Sequence, residues 1–337
     1  MKNENPPFAF YVSSFFTDYI SRQKSLSPNT VKSYRDSIVL MLCYFDKELH
    51  IKPERLRFED FTCANMEGFL NWLEETRGVS VSTRNQRLAA IHSLFKYIQY
   101  KDLFAFEQCK EVLAVPYKKT SAVPMNYLSL EEIRILFGLP NQKSKSGIRD
   151  LAMLVLLYET GARVQELIDL TPQAIQVRSS VAVELCGKGR KIRWVPLNNH
   201  AYTIVKTYLN QCHRTVPSAP LFVNKAGEKL TRAGVQYIID KYIAMARQMN
   251  PGLFTNRITN HCFRHSKAMH LLEAGVNLIY IRDFLGHSTV TTTEIYAKTN
   301  PIIKEKVLLQ DSASLETAKR FSAKTKEGLV EWLRNNL

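Results

Sequence analysis

Six polar residues in the second half of the chain are of types that do chemistry, and they lie beside apolar segments where solvation alone would not require them. They are Arg163, Lys188, His261, Arg264, His287 and Tyr296. Guanidinium groups bind oxyanions through paired hydrogen bonds, and imidazole and lysine side chains transfer protons. A phenol attacks as a nucleophile once a neighbouring base removes its proton. The set is therefore suited to nucleophilic attack at an anionic centre.

Each of these residues also has an ordinary structural explanation. Arg163 and Glu166 are three positions apart, which predicts an ion pair on one helical face worth about 0.2–0.5 kcal/mol. His261 and Arg264 have the same spacing and point at one place, but a capping or core histidine would fit too. Tyr296 would ordinarily belong to a core, although three consecutive threonines shortly before it give its segment little apolar character.

Zinc binding is the main alternative for the two histidines at 261 and 265. Together with Cys262 they have a spacing at which side chains can share a metal. A closed zinc site needs four ligands, usually from a second cluster, and the sequence offers no such cluster. The sequence therefore predicts that no metal is bound.

The first hundred residues are predicted to form a small bundle of about four helices. Aromatic and aliphatic residues recur at helical spacing over residues 8–22. Ser27 followed by Pro28 is typical of an N-cap and first helical position, which opens a second helix ending near residue 45. Further helices are predicted at residues 66–76 and 82–100.

A connection rich in proline and small polar residues follows this bundle and marks a domain boundary. We predict a first domain at residues 1–115, a linker at 116–126, a second domain at 127–310 and a tail at 311–337. Ser129 and Glu132 match a capping box, which starts the first helix of the second domain.

The second domain is predicted to be mainly helical with a small β-sheet. Residues 149–170 form a strongly apolar helical stretch, whereas residues 181–196 alternate in the manner of strands around a turn at 187–190. A hairpin or a three-stranded sheet is expected there. Four more helices are predicted at residues 231–249, 261–274, 277–285 and 289–297.

The charge of the chain indicates a polyanionic partner. The formal net charge is +15, and residues 127–310 carry 24 basic against 13 acidic side chains. Six scattered cysteines without a C-x-x-C pair are typical of reduced thiols in a cytosolic protein. No signal peptide and no apolar run of about 20 residues is evident, so we expect a soluble, cytoplasmic protein.

In order and spacing, the chemistry-bearing motifs resemble those of the tyrosine recombinases, also called the phage integrase family. The motifs are Gly-Ala-Arg163-x-x-Glu166-Leu, Gly-Lys188-Gly-Arg-Lys-x-Arg-x-Val-Pro-Leu, His261-x-x-Arg264-His, Leu-Gly-His287 and Tyr296. All six family positions are filled, and the resemblance runs from about Phe8 to about Lys306. It implies an N-terminal SAM-like helical bundle followed by an integrase-type α+β catalytic domain.

The resemblance implies an enzyme that cuts and rejoins DNA through a 3′-phosphotyrosyl intermediate without a cofactor. Tyr296 would attack the phosphate, and His261 would remove its proton, since the pKa of a phenol is about 10. Lys188 would protonate the departing 5′-oxygen from a mobile hairpin, a role for which Lys191 is an alternative. Because the tyrosyl ester conserves the energy of the phosphodiester, ligation would need neither ATP nor metal.

The remaining family positions would stabilise the transition state. Arg163 and Arg264 would hold the two non-bridging oxygens, and His287 would donate a hydrogen bond to the phosphate. Glu166 would orient Arg163 and its surroundings without taking part in proton transfer.

The expected partners are double-stranded DNA with inverted-repeat core sites and further copies of the chain, as a dimer per site and a tetramer in the synapse. The first domain resembles the core-binding bundle of the family. Basic residues predicted to contact phosphates or grooves are Lys32, Arg35, Arg84, Arg87, Lys96, Lys118 and Lys119. A solvated helix face is the alternative for those on helices, whereas the two linker lysines must lie near any DNA that the linker crosses.

Residues after Tyr296 are predicted to form helices near 302–309 and 325–337, the latter with Leu329, Trp332 and Leu333 on one stripe. The tail would pack into a neighbouring subunit or fold back on its own domain. Integration, excision or transposition of a mobile element is the expected role. The alternatives are Xer-like resolution of chromosome dimers, a type IB topoisomerase and an inactive DNA-binding regulator.

Overall fold

The structure is a computed structural model that describes residues 7–24, 26–120, 125–177, 179–212, 216–287 and 289–299. Its backbone contacts divide the chain into two units, Met1–Val123 and Pro124–Leu337. The predicted helices near residues 302–309 and 325–337 lie outside the described residues.

The first unit is helical throughout. Its elements are α1 (Phe8–Ser14), which continues as a π-helical segment (Phe15–Gln23), α2 (Pro28–Glu48), α3 (Cys63–Glu75), α4 (Val81–Lys101) and α5 (Phe106–Ala114), with short 3₁₀ turns at Pro53–Arg55 and Phe58–Asp60. Ser27 caps α2 by accepting from the backbone N–H of Thr30, and Ser80 caps α4 in the same way. The four predicted helices are present, and α5 is the addition. Its nine residues bury only Cys109 and Val112, a pattern too short to predict a helix.

Interlocking aromatic rings form the core of the first unit. Phe15, Phe45, Phe61, Phe69 and Phe95 are fully buried, and they join α2, α3 and α4 to the π-helical segment. Burying a ring of this size contributes about 1.5–3 kcal/mol, so the core holds the long helices in fixed positions. The surface of this unit is therefore set by the faces of α2 and α4 that the core leaves outside.

The second unit combines helices with a three-stranded antiparallel sheet. Its elements are α6 (Leu130–Gly138), α7 (Lys145–Thr160), α8 (Val164–Ile168), β1 (Ile175–Val177), β2 (Val181–Cys186), β3 (Ile192–Pro196), α9 (Asn199–Gln211), α10 (Arg232–Met249), α11 (Asn260–Glu273), α12 (Leu278–Leu285) and α13 (Thr291–Thr299). The sheet order is β1-β2-β3, and Val183 pairs with Ile175 on one side and Val195 on the other. This confirms a mainly helical fold with a small sheet.

The predicted helix at residues 149–170 is wrong in one respect, because it ends at Thr160 and α8 begins anew at Val164. Gly161 adopts the left-handed conformation at φ +56° and ends α7. The sequence pattern does not reveal the break between α7 and α8, because both helices are buried and their apolar residues form one continuous run. The break matters because it turns Arg163 out of the apolar core.

Helix α9 was not predicted, although Asn198 caps it by accepting from the N–H of Ala201. Within the part of the chain that the structure describes, no helix combines the length and the apolar character needed to cross a bilayer.

Candidate active site

Arg163 stands at the N-cap of α8 and is fastened there by Glu166. Its backbone N–H donates to Glu166 Oε2 at 2.8 Å, and Nη1 donates to Oε1 at 2.8 Å. The arginine side chain remains 34% exposed, whereas that of Glu166 is 4% exposed. The ion pair expected as an ordinary explanation is thus present. It also aims the guanidinium outward, so the two explanations are compatible.

Arg193 on β3 is a member of the site to which sequence reasoning assigned no role. Its Nη1 and Nη2 donate to the two oxygens of Glu166 at 3.0 and 2.8 Å, and Nε donates to the carbonyl of Phe284 at 3.0 Å. Burial alone would raise the pKa of Glu166, but the bonds and charges of Arg193 and then Arg163 hold it below its ordinary value. The signal that could have found Arg193 is its place in the hairpin motif.

Arg264 on α11 is held by the ends of two other helices. Its Nη1 donates to the carbonyl of Gly161 and its Nη2 to that of Leu285, both at 2.6 Å. The residue is 4% exposed. Burial, and then the charges of Arg163 and Arg193, lower the pKa of Arg264 to about 9, so it stays protonated at neutral pH. A fixed positive charge therefore lies beneath the site.

His287 follows the left-handed Gly286 that ends α12. Its Nδ1 lies 3.0 Å from the hydroxyl of Thr293. Burial, followed by the charges of Arg264, Arg163 and Arg193, lowers the pKa of His287 to about 4. At neutral pH the ring is neutral, and when Nδ1 accepts from Thr293 the remaining proton is on Nε2, which can donate.

The phenol of Tyr296 is buried. The residue is 1% exposed and packs with apolar side chains that include Met269, Ile281 and Leu285. Burial raises the pKa of Tyr296, while the charges of Arg264 and Arg163 act in the opposite direction. The guanidiniums therefore act electrostatically on the phenol, but in this conformation it is closed to solvent.

The hydrogen-bond partner of the phenol is His265, which sequence analysis had considered only as a metal ligand. Its Nδ1 lies 3.1 Å from the Tyr296 hydroxyl. Burial, and then His261 and Arg264, lower the pKa of His265 to about 4, so the ring is a neutral acceptor. His261 is exposed one turn earlier on α11, with its ring centroid 6.3 Å from that of His265. Partial desolvation and then Arg264 and Arg163 lower its pKa.

The hairpin between β2 and β3 forms one wall of the site. The N–H of Gly187 donates to the carbonyl of Lys191 at 2.8 Å, and a 3₁₀ turn over Lys188–Arg190 closes the loop, with Gly189 at φ +75°. Lys191 is exposed, while the side chain of Lys188 is outside the described part of the structure. Beneath the loop lies a cavity of about 340 Å³, lined in part by Arg163, Lys191, Arg193, Gly286 and His287.

Among the described residues, no group of three or more His, Cys, Asp and Glu side chains is placed to hold a metal ion. The zinc alternative gains nothing from Cys262, whose buried sulfur lies 3.3 Å from the backbone nitrogen of Thr259 at the start of α11.

The predicted DNA contacts of the first unit differ in their surroundings. Arg84 is buried at 4% exposure, lies 3.3 Å from Glu74 and donates to the carbonyl of Pro116 at 3.1 Å. Arg87 is half-buried and donates to Ser33 and Ser37 of α2. The exposed members of the predicted set are Lys32, Arg35, Lys96, Lys118 and Lys119. The helical pattern alone could not separate the buried arginines from the exposed residues.

Comparison with known families decides the identity of this constellation. Residues 126–301 match the Phage integrase family, and residues 14–101 match the N-terminal SAM-like domain of phage integrases. The chain belongs to the phage integrase family. Its enzyme class is accordingly that of the tyrosine recombinases, which are site-specific DNA recombinases.

Relatives of this integrase-family chain include both integrase-type and Xer proteins. It is 34% identical to y4rC of Sinorhizobium fredii, provisionally named an integrase/recombinase, over 92% of this chain and 93% of the relative. It is 32% identical to the tyrosine recombinase XerD of Vibrio cholerae, over 83% and 89% of the two chains.

Solved structures share the fold. The XerH recombinase in its post-cleavage complex with a difH substrate gives a TM-score of 0.66 at 24% identity, over 85% of this chain and 79% of XerH. The integrase of transposon Tn1549 with transposon right-end DNA gives 0.69 at 15% identity, over 90% and 99%. The integrase-family catalytic fold and SAM-like bundle expected from the sequence are thereby confirmed.

Proposed function

We propose that this recombinase uses Tyr296 to integrate and excise a mobile genetic element. The observation that supports the catalytic part of the proposal is a cavity lined by Arg163 and His287, with the buried Arg264 held nearby by the carbonyls of Gly161 and Leu285. The charges of Arg264 and Arg163 act to lower the pKa of the Tyr296 phenol.

In the proposed reaction the Tyr296 oxygen forms a bond to the scissile phosphorus, and the bond to the 5′-oxygen breaks. Arg163 and Arg264 neutralise the two non-bridging oxygens, and Nε2 of His287 donates to one of them. Lys188, or Lys191 in its place, gives a proton to the departing 5′-oxygen. A 5′-hydroxyl from the partner duplex reverses these steps and leaves joined DNA, with no cofactor consumed.

The phenolic proton needs an acceptor, and two histidines compete for this role. His261 is the acceptor expected from the family, whereas His265 already lies within hydrogen-bond distance of the phenol. We propose that His265 holds the phenol in the DNA-free protein and that His261 accepts the proton once α13 has moved the tyrosine toward DNA. The burial of Tyr296 supports this order of events, because a phenol that is 1% exposed cannot reach a phosphate without such a movement.

The proposed substrate is double-stranded DNA carrying inverted-repeat core sites, bound by a dimer at each site and a tetramer in the synapse. The exposed lysines of the first unit and the site's own positive charge support DNA as the partner. Because this substrate is genomic, we propose that the protein acts in the cytoplasm.

The relatives support two biological roles for the proposed recombinase. The relative at 34% identity, named as an integrase/recombinase, favours a mobile element. The XerD relative at 32% favours resolution of chromosome dimers.

Covalent capture of DNA tests both the chemistry and the role. The protein is incubated with sheared genomic DNA of its host, denatured with detergent, and the DNA attached to protein is sequenced. Tyr296→Phe should abolish the adduct because only the hydroxyl is lost. Tyr280→Phe, which changes a tyrosine that is 71% exposed on α12, should leave it intact.

The captured sequences distinguish the outcomes. The two ends of an element would support the mobile-element role, and a single chromosomal site present in every isolate would support the Xer-like role. Adducts scattered without a shared sequence would indicate a topoisomerase. A wild-type protein that captures nothing, or an adduct that survives Tyr296→Phe, would contradict the proposed chemistry.

A further inference from the structure

Arg193 is fastened to three separate elements of the site. It belongs to β3, which forms one side of the hairpin, while its guanidinium reaches Glu166 on α8 and the carbonyl of Phe284 in the last turn of α12. The side chain is 12% exposed. A buried planar fork with this many bonds has little freedom to rearrange, so it fixes the separation of the elements that it joins.

The backbone is shaped to admit this guanidinium. Gly286 has φ +64°, and a Cβ placed there would lie 3.1 Å from both Cδ and Nη1 of Arg193. Gly187, where β2 leads into the hairpin, would place a Cβ 3.7 Å from the same Nη1. Two glycines therefore flank one arginine, at the points where the chain enters the hairpin and where it leaves α12 for His287.

The guanidinium of Arg193 is engaged mainly by the protein. Each of its three nitrogens donates to a protein acceptor and its side chain is 12% exposed, whereas that of Arg163, which lines the same cavity, is 34% exposed. The elements that it joins carry the groups assigned to the reaction: the hairpin lysines, Arg163 with Glu166, and His287. Whatever Arg193 does for the reaction, it does through these neighbours.

We propose that Arg193 is a positioning residue that locks the β2–β3 hairpin to α8 and α12, and so sets where the hairpin lysine meets the departing 5′-oxygen. The proposal rests on the proposed function of the site and adds a residue to it. Misplacing a catalytic group by about 1 Å can cost on the order of 10²-fold in rate, so the effect of losing the lock should be large.

The test uses the full-length protein and a nicked half-site recovered by covalent capture. Arg193→Met removes the fork, and Arg193→Lys keeps the charge but replaces the fork with a single ammonium. We expect half-site affinity in gel shifts to stay within about threefold, since the guanidinium of Arg193 is 12% exposed and already donates to three protein acceptors. The single-turnover rate of adduct formation should fall on the order of 10²-fold in Arg193→Met and less in Arg193→Lys.

A second substrate isolates the hairpin's contribution. When sulfur replaces the bridging 5′-oxygen, the thiolate leaves without needing a proton, so a misplaced proton donor matters less. Arg193→Met should recover at least about tenfold of its lost rate on this substrate, as Lys188→Ala should, whereas Arg264→Lys should not. A purely structural loss would lower the rate of adduct formation on both substrates by the same factor.

Arg247→Met is the control for losing an arginine that bridges two acceptors outside the site. Arg247 on α10 is exposed and donates to the backbone carbonyls of Phe254 and Asn256, both at 2.8 Å. Its rate should match the wild type on both substrates. The proposal would be overturned if Arg193→Met formed the adduct at the wild-type rate, or if weaker half-site binding fully explained its lower rate. It would also be overturned if the 5′-thio substrate restored none of the lost rate.

Hydrogen exchange measures whether Arg193 holds the hairpin in place, independently of recombinase activity. Arg193→Met should speed exchange at the amides of residues 187–191 and 286–287, and Arg247→Met should not. If the wild type forms no adduct but this exchange pattern appears, the recombinase chemistry fails while the lock stands. If Arg193→Met leaves hydrogen exchange unchanged at both segments, the proposed positioning role of Arg193 is contradicted, whatever the activity of the variant.

Discussion

At the scale of single residues, the site is a set of cations held in place by neutral or negative protein groups. Glu166 accepts hydrogen bonds from Arg163 and Arg193, and backbone carbonyls of Gly161 and Leu285 hold Arg264, so the set keeps a net positive charge. Burial, and then this concentration of positive charge, lowers the pKa of the neighbouring His265 and His287 imidazoles to about 4. His287 is thereby neutral at neutral pH, which suits the proposed role of donating a hydrogen bond to a phosphate that guanidiniums also bind.

The depressed pKa values predict how stability depends on pH. The pKa of His287 falls from an ordinary 6.5 to about 4 on folding, so between these values the unfolded chain binds more protons than the folded one. The contribution of the His287 ring to the free energy of unfolding is therefore fully present above pH 6.5, and it is lost as the pH falls toward about 4. Urea unfolding at a series of pH values should show the loss, and His287→Gln should reduce it.

His200→Gln is the control for this measurement, because His200 is exposed on α9. It should follow the wild type at every pH. His265, whose pKa is also lowered to about 4, contributes in the same direction and remains in both variants. The explanation fails if His287→Gln and the wild type lose stability in parallel.

At the scale of elements, the site depends on helices that stop at the right place. Gly161 ends α7 and Gly286 ends α12, both in the left-handed conformation, and the carbonyls at these two ends hold Arg264 through Gly161 and Leu285. A continuous helix at either place would keep those carbonyls in intrahelical bonds. The helix ends therefore hold Arg264 in the candidate site as well as ending the helices.

Gly161→Ala should destabilise the second unit and disturb the site together. The left-handed conformation costs a non-glycine residue about 1–2 kcal/mol, and the added Cβ would lie 3.0 Å from side-chain carbons of both Leu285 and Phe284. Gly275→Ala is the matched control, since Gly275 has φ +83° but no atom within 4 Å of an added Cβ. Urea unfolding should show a larger loss for Gly161→Ala, and equal losses would rule out the steric contribution.

At the scale of the whole molecule, the proposed exchange between two duplexes would require more than one active site to act in concert. The chain continues for 38 residues beyond the last described position, and this segment is the one for which a neighbouring subunit is expected to provide a docking surface. A tail that couples subunits should strengthen the pairing of two protein-bound DNA sites and should have little effect on binding to a single site.

Deleting residues 311–337 should therefore weaken synapsis more than single-site binding. Gel shifts with one labelled site measure binding, and capture of a second, differently labelled site measures synapsis. A full-length chain with Leu329, Trp332 and Leu333 changed to serine is the companion variant, because it keeps the length and removes only the apolar stripe. Equal losses in both assays would indicate a tail that serves its own domain.

The sequence by itself determined the class of the protein, because ordered motifs can be recognised without knowledge of how their residues pack. It also determined most helices, the short sheet and the caps at Ser27 and Ser129, since these depend on local spacing and hydrogen bonding. It did not distinguish Arg84, which the bundle buries, from the exposed Lys96 on the same helix.

Tertiary structure alone decided which groups meet. Arg193 and Glu166 are 27 positions apart, and Arg264 and Gly161 are 103 apart, so no local pattern links them. The same is true of the phenol of Tyr296, whose burial and contact with His265 depend on how α11, α12 and α13 pack. Periodicity reports the face on which a residue lies, whereas hydrogen-bond partners and desolvation depend on the elements that cover that face.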